Sequence, residues 1–158
     1  ANIRLRFVNG DFAALILSEA SAKHITKEMI SPINVCATKA KEAVHVVGFG
    51  YTNKWNEIMA QVTAIHFYKS LANGRLGKDT DYYFLSKNAN DNIRTTEGDS
   101  GAPLFNQAKE IIAISSSGIE EGNDFHSLFA PLNSKQNKAV LATLVKKGLL
   151  KAQRIKCL

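Results

Sequence analysis

Apolar residues fall in short runs along the chain: Ile3–Val8, Ala13–Leu17, Val44–Phe49, Ile58–Phe67, Tyr82–Leu85, Leu104–Phe105, Ile111–Ile114 and Ser127–Leu132. Turn-forming segments break them apart, among them Asn73-Gly74-Arg75-Leu76-Gly77 and Glu120-Glu121-Gly122-Asn123. Many short strands with few long helical patterns predict an antiparallel all-β domain, a barrel or a sandwich. One segment departs from this pattern. Ala139, Val140, Leu141, Leu144 and Val145 recur at helical spacing, Asn133-Ser134 ahead of them offers cap-type residues, and Gly148 stands where a helix would stop. The polar stretch Asn88–Asn92 reads as a surface loop just ahead of the most distinctive motif in the chain.

That motif is Glu97-Gly98-Asp99-Ser100-Gly101-Ala102-Pro103. A serine hydroxyl attacks a carbonyl only when a base takes its proton and backbone N–H groups receive the developing oxyanion. Gly98 permits the tight turn that aims its own N–H and that of Ser100 into one hollow, and Gly101 leaves room for a substrate. Taken alone, Gly-Asp-Ser-Gly is also ordinary turn chemistry, with Asp and Ser bonding their own backbone.

The rest of the chain decides between these readings, because it resembles the chymotrypsin/trypsin-like serine protease family in an ordered series of segments. Gly10-Asp11-Phe12-Ala13-Ala14-Leu15-Ile16-Leu17 is similar to the motif of the triad aspartate. Val46-Val47-Gly48-Phe49-Gly50-Tyr51-Thr52 resembles the strand that opens the second barrel. Glu97–Phe105 resembles the nucleophile loop, Ile111–Gly118 the strand that lines the substrate pocket, and Ser127–Leu132 the last strand; Lys138–Lys147 matches the C-terminal helix. Asp11 and Ser100 lie 89 residues apart, close to the family's spacing. The resemblance implies a chymotrypsin-like antiparallel β-barrel with a C-terminal α-helix. Residues 1–35 would form the end of the N-terminal barrel and the inter-barrel connection, 36–132 the C-terminal barrel, and 133–158 the helix and tail.

It also implies roles. Ser100 is the nucleophile and Asp11 the triad carboxylate, with Gly98 and Ser100 supplying the oxyanion hole. Asp99 is the partner of an α-amino group freed on zymogen activation. Arg94, Thr95, Ser115, Ser116, Ser117, Gly118 and Ser127 line the substrate site. No cofactor and no metal are expected. Arg94 would stand at the floor of the primary pocket, where a guanidinium favours an acidic side chain before the scissile bond; turned outward, it would leave a small polar pocket. Ser117 replaces the usual aromatic wall.

The family's order of triad residues is His, Asp, Ser, and only ten residues precede Asp11. His66, in Val62-Thr63-Ala64-Ile65-His66, echoes the run that carries the base, but it lies 34 residues before Ser100 and reads better as part of a strand. His45 alternates between Val44 and Val46 and is expected to face solvent, and His24 lies in a polar connection. His126 either shapes the pocket or is a plain loop residue. The resemblance therefore implies a serine endopeptidase whose catalytic histidine, and whose activating amino group, come from an N-terminal chain. The alternative is a non-catalytic, protease-like binding protein.

The two cysteines, Cys36 and Cys157, leave three possibilities open: pairing with each other, remaining free, or tethering the N-terminal chain. The low cysteine count fits a divergent secreted protein. No stretch is long and apolar enough to span a membrane. The net charge of +6 includes a cluster at Lys146, Lys147, Lys151, Arg154 and Lys156. That cluster is either a solvated helix end complementing the helix dipole or a polyanion or anionic-membrane contact; the expected partners are a peptide or protein substrate, not nucleic acid.

Overall fold

The computed structural model describes residues 3–37, 44–51, 58–60, 68–71, 82–86, 95–121 and 124–158. The chain opens on a hairpin of β1 (Ile3–Asn9) and β2 (Phe12–Leu17), followed by a single helical turn, α1 (Glu19–Ala22), and a two-residue strand, β3 (Ile33–Asn34). Next come β4 (Val44–Val46), β5 (Phe49–Tyr51), β6 (Ile58–Ala60), β7 (Tyr68–Leu71) and β8 (Tyr82–Ser86). β9 (Pro103–Asn106), β10 (Ile111–Glu121) and β11 (Asp124–Pro131) then lead into α2 (Lys135–Lys146) and the terminal β12 (Ile155–Lys156).

β11 lies between β10 and β8, β7 pairs with β8, and β9 joins β4 to β10 in one sheet of antiparallel pairings. Among the described strands only β3 pairs in parallel, with β10 and β12. This is the mostly β, antiparallel, chymotrypsin-like barrel with a C-terminal helix that the sequence predicts.

Burial follows the pattern of the strands. On β4 the two valines are buried and His45 between them is half-buried, and on β9 Leu104 and Asn106 are buried while Pro103 and Phe105 are partly covered. Val44, Val46, Tyr83, Leu104, Ile112, Ala113 and Phe129 form one core cluster. Burying each large side chain of this set contributes about 1.5–3 kcal/mol. A second cluster, Val35, Leu132, Leu141 and Ile155, is flanked by Phe12 and locks α2 and the tail against the start of β2.

Several boundaries differ from expectation. The run Val44–Phe49 divides into β4 and β5 around Gly48, whose backbone lies against a buried carboxylate: a Cβ there would be 2.2 Å from Asp99 Oδ1. The apolar run Ile111–Ile114 marks only the start of β10, since the strand continues through the serines by pairing with β11 across a register shift between Ser115 and Ser117. The helix begins at Lys135, ahead of the expected Lys138, because the Ser134 hydroxyl accepts from Asn137 N–H at 3.2 Å. Of the expected strand Ile58–Phe67, the described part is β6; Asn73–Gly77 and Asn88–Asn92 lie outside the described residues.

Cys36 and Cys157 form a disulfide. It fastens the tail beside β3, where Val35 N–H donates to Lys156 C=O at 3.0 Å. The pairing selects one of the three possibilities and excludes the other two, for neither thiol is free or left to tether another chain. No helix among the described residues is long and apolar enough to cross a membrane.

Candidate active site

Asp11 sits at the tip of the β1–β2 hairpin. Asn9 and Phe12 are cross-strand partners, so Gly10 and Asp11 form a two-residue turn, with φ of +54° and +56°. Such turns take left-handed residues because their twist matches that of the strands, and Gly followed by Asp suits the geometry. The turn is also held from below. Asn137, fully buried in the first turn of α2, donates through Nδ2 to Gly10 C=O at 3.1 Å and to Pro131 C=O at 2.8 Å.

The Asp11 carboxylate accepts two hydroxyl hydrogen bonds on one oxygen, Oδ2: from Tyr82 at 2.9 Å and from Ser116 in a short contact. Burial, and then the hydrogen bond and negative charge of Asp11, push the Tyr82 phenol up to about 12, against a smaller opposing effect of its hydrogen bond with Ser116.

The Ser100 loop is a chain of tight turns. Asp99 N–H donates to Thr96 C=O at 3.1 Å and Ala102 N–H to Asp99 C=O at 2.9 Å, with Gly98 and Gly101 at φ +94° and +88°. The Asp99 side chain is buried and accepts from Thr96 N–H at 2.8 Å and Thr96 Oγ1 at 3.3 Å. Gly101 N–H and Ser115 N–H donate to Ser115 C=O and Ala102 C=O, both at 2.8 Å, which pins the loop to β10. Ser100 itself is exposed, and its Oγ donates to Ser116 C=O at 3.3 Å. Ser116 thus touches both triad candidates, Asp11 through its hydroxyl and Ser100 through its carbonyl.

The pocket candidates divide into two groups. Thr95 and Ser127 are buried and bonded to each other, the Thr95 N–H donating to Ser127 Oγ at 3.0 Å, and Ser115 is buried behind the loop. Ser117 and Gly118 are exposed on β10, with Gly118 opposite Ser127 in the register. Arg94 lies outside the described residues, as does His66. The Ser100 hydroxyl donates to a carbonyl and not to a histidine. His24 is exposed, His45 stacks on Phe105 at 5.1 Å instead of projecting freely, and His126 is half-buried on β11 opposite Ser86. Among the described residues no group of His, Cys, Asp or Glu side chains is arranged to hold a metal ion.

Three contributors escape the sequence reading. Tyr82 is 71 positions from Asp11 and Asn137 is 127 from Gly10, so no spacing rule links them. Phe125 lays the tip of its ring against Gly118, where a Cβ would come within 2.2 Å of it. The alternation of β11 does place Phe125 on the same face as Ser127, and that was the available signal.

A barrel that brings an aspartate-bearing hairpin and a Gly-Asp-Ser-Gly loop onto one strand defines the class of chymotrypsin-like proteins. The chain matches the family model described as Trypsin over residues 4–139, and it belongs to that family. No curated protein and no solved structure matches it significantly.

Proposed function

We propose that this chain is the C-terminal part of a trypsin-like serine endopeptidase, with its catalytic histidine supplied by an N-terminal segment. The observation that carries the reading is the placement of Ser116 between Asp11 and Ser100. Both bonds to Asp11 fall on Oδ2, which leaves Oδ1 unbonded among the described residues for the N–H of an imidazole. Asp11 would orient that imidazole, which would take the Ser100 proton as Oγ attacks the peptide carbonyl. The resulting imidazolium gives the proton to the departing amine, and water then releases the acyl group by the same route. The N–H groups of Gly98 and Ser100 have no hydrogen-bond acceptor among the described residues, as oxyanion donors require.

The outer face of β2 supports a covering segment. Its residues alternate between partly buried and exposed, yet exposed Leu15 and Leu17 are as apolar as the inner Ile16. A strand apolar on both faces is built to be covered on both. On this reading residues 1–35 complete a first barrel with that segment, 36–132 form the second barrel, and 133–158 the helix and tail. The buried Asp99 carboxylate is suited to receive an α-amino group from the same segment on zymogen activation. The disulfide agrees with a secreted protein. Thr95, Ser115, Ser116, Ser117, Gly118 and Ser127 would border the substrate, with Arg94 favouring an acidic residue before the scissile bond.

The test is peptide hydrolysis after adding an N-terminal segment that carries the histidine. Activity is expected that is lost in Ser100→Ala and falls by several orders of magnitude in Asp11→Asn. Equal or better cleavage after Lys or Leu than after Glu would sink the acidic preference. The second reading, a non-catalytic binding protein, draws on the two hydroxyls already engaging Asp11. Its signature would be peptide binding without turnover in the reconstituted pair.

A further inference from the structure

The charge of this protein is segregated. Seven of its 20 Lys and Arg residues and none of its 14 Asp and Glu residues lie within 125–158, so residues 1–124 hold 13 cations against 14 carboxylates, a balance of −1. The positive net charge therefore resides in α2 and the tail.

The fold presents these cations outward. On α2, Val140, Leu141 and Leu144 are buried, while Lys135 and Lys146 are exposed and Lys138 is half-exposed on the opposite side. At 3.6 residues per turn these three lysines fall within an arc of about 80°, and Lys135 and Lys146 are about 16 Å apart along the axis. Lys147, Lys151, Arg154 and Lys156 continue the exposed series into the tail, which the Cys36–Cys157 disulfide and the pairing of β12 with β3 hold in place. Lys156 has a carboxylate neighbour in Glu110, whose pKa is lowered by hydrogen bonds from Asn106 and Asn34 and, least, by the charge of Lys156.

We propose that the outer face of α2 and the stapled tail form a binding surface for an extended sulfated polysaccharide. Three observations select this class. A convex row of point charges spaced over a helix and a fixed tail suits a flexible polyanion that can lie along it, because each contact releases condensed counterions. Residues 133–158 contain no aromatic side chain on which a nucleobase could stack, and six of the seven cations are lysines instead of the arginines that read phosphates and bases bidentately. A disulfide is characteristic of oxidising compartments, whereas the anionic leaflet of a cell membrane faces the cytoplasm. The surface involves neither Ser100 nor Asp11, so it stands whether or not the chain is a peptidase.

The experiment measures affinity for heparin as a function of salt, using the chain as it is and two variants of equal net charge. One is Lys135→Gln/Lys146→Gln on α2, and the other is Lys23→Gln/Lys27→Gln in the exposed segment after β2. All four positions are exposed, and equal thermal melting verifies that both variants fold. The unaltered chain should bind at physiological salt, about 0.15 M. The slope of log affinity against log salt should fall by about 2 in the α2 variant and stay unchanged in the other. An equal loss in both variants would reduce the effect to net charge and overturn the proposal, as would no binding at that salt. Exposed Leu149 and Leu158 in the tail make a lipid surface the main competitor. Tighter binding to phosphatidylserine vesicles, or to a single-stranded oligonucleotide, than to heparin would also overturn it.

Discussion

Removing the Asn137 side chain should loosen the Asp11 turn, and the size of the effect follows from its contacts. Asn137 is fully buried, and its Nδ2 bonds two carbonyls from different elements, Gly10 on the hairpin and Pro131 at the end of β11. In Asn137→Ala both carbonyls lose their donor, about 1–1.5 kcal/mol each for hydrogen bonds in such a setting. Against this, Oδ1 has no donor among the described residues, so deleting it returns about 1 kcal/mol. The remaining cavity adds about 1 kcal/mol. The net cost is about 2–3 kcal/mol, a fall in Tm of roughly 4–12 °C for a chain of this size. Asn137→Asp should cost more than Asn137→Ala, because it sets a carboxylate oxygen against two carbonyl oxygens in a dry site. Urea denaturation of the three proteins gives the ranking, and hydrogen exchange should show lost protection at β1 and β2. A cost below about 0.5 kcal/mol for Asn137→Ala, or Asn137→Asp as the milder change, would refute the reasoning.

Reducing the Cys36–Cys157 disulfide, which spans 121 positions, should cost about 4–5 kcal/mol on the loop-entropy model; urea titration with and without reductant measures it, and thiol titration of the unreduced, unfolded chain should find none. Gly48→Ala should destabilise by more than about 3 kcal/mol because its Cβ would meet buried Asp99 Oδ1, whereas Gly101→Ala, strained at φ +88° but with no atom within 4 Å of the added Cβ, should cost about 1–2 kcal/mol; thermal melts that reverse this order would contradict the packing. The folded protein holds the Tyr82 proton up to about pH 12, above the unfolded value of about 10, so the stabilisation from this group is complete below pH 10 and is lost as pH rises toward 12. Ultraviolet titration should find a late tyrosinate that Tyr82→Phe removes, and that variant should lose the part of the decline in stability that this group causes as pH rises from 10 to about 12.

What the sequence made legible depended on whether the signal was local. The tight turn at Gly98 and the stop at Gly148 each rest on a backbone conformation that glycine favours, and both are found as left-handed positions. The apolar stripe of α2 likewise marks its buried face. The length of β10 was not legible, because Ser115-Ser116-Ser117-Gly118 extends the strand only through its pairing with β11. Nor were Tyr82 and Asn137, whose roles arise from partners brought near by the closed sheet. The disulfide stood among three possibilities until the tail was seen beside β3.

The central claim is that Ser100 becomes a nucleophile once a histidine faces Asp11. Treating the chain with a fluorophosphonate, alone and with the histidine-bearing N-terminal segment, and locating the adduct by peptide mass spectrometry tests it most directly. The account predicts one adduct, on Ser100, formed rapidly only in the reconstituted pair and abolished by Asp11→Ala. Labelling of another residue, or none in a pair shown to associate, would contradict it.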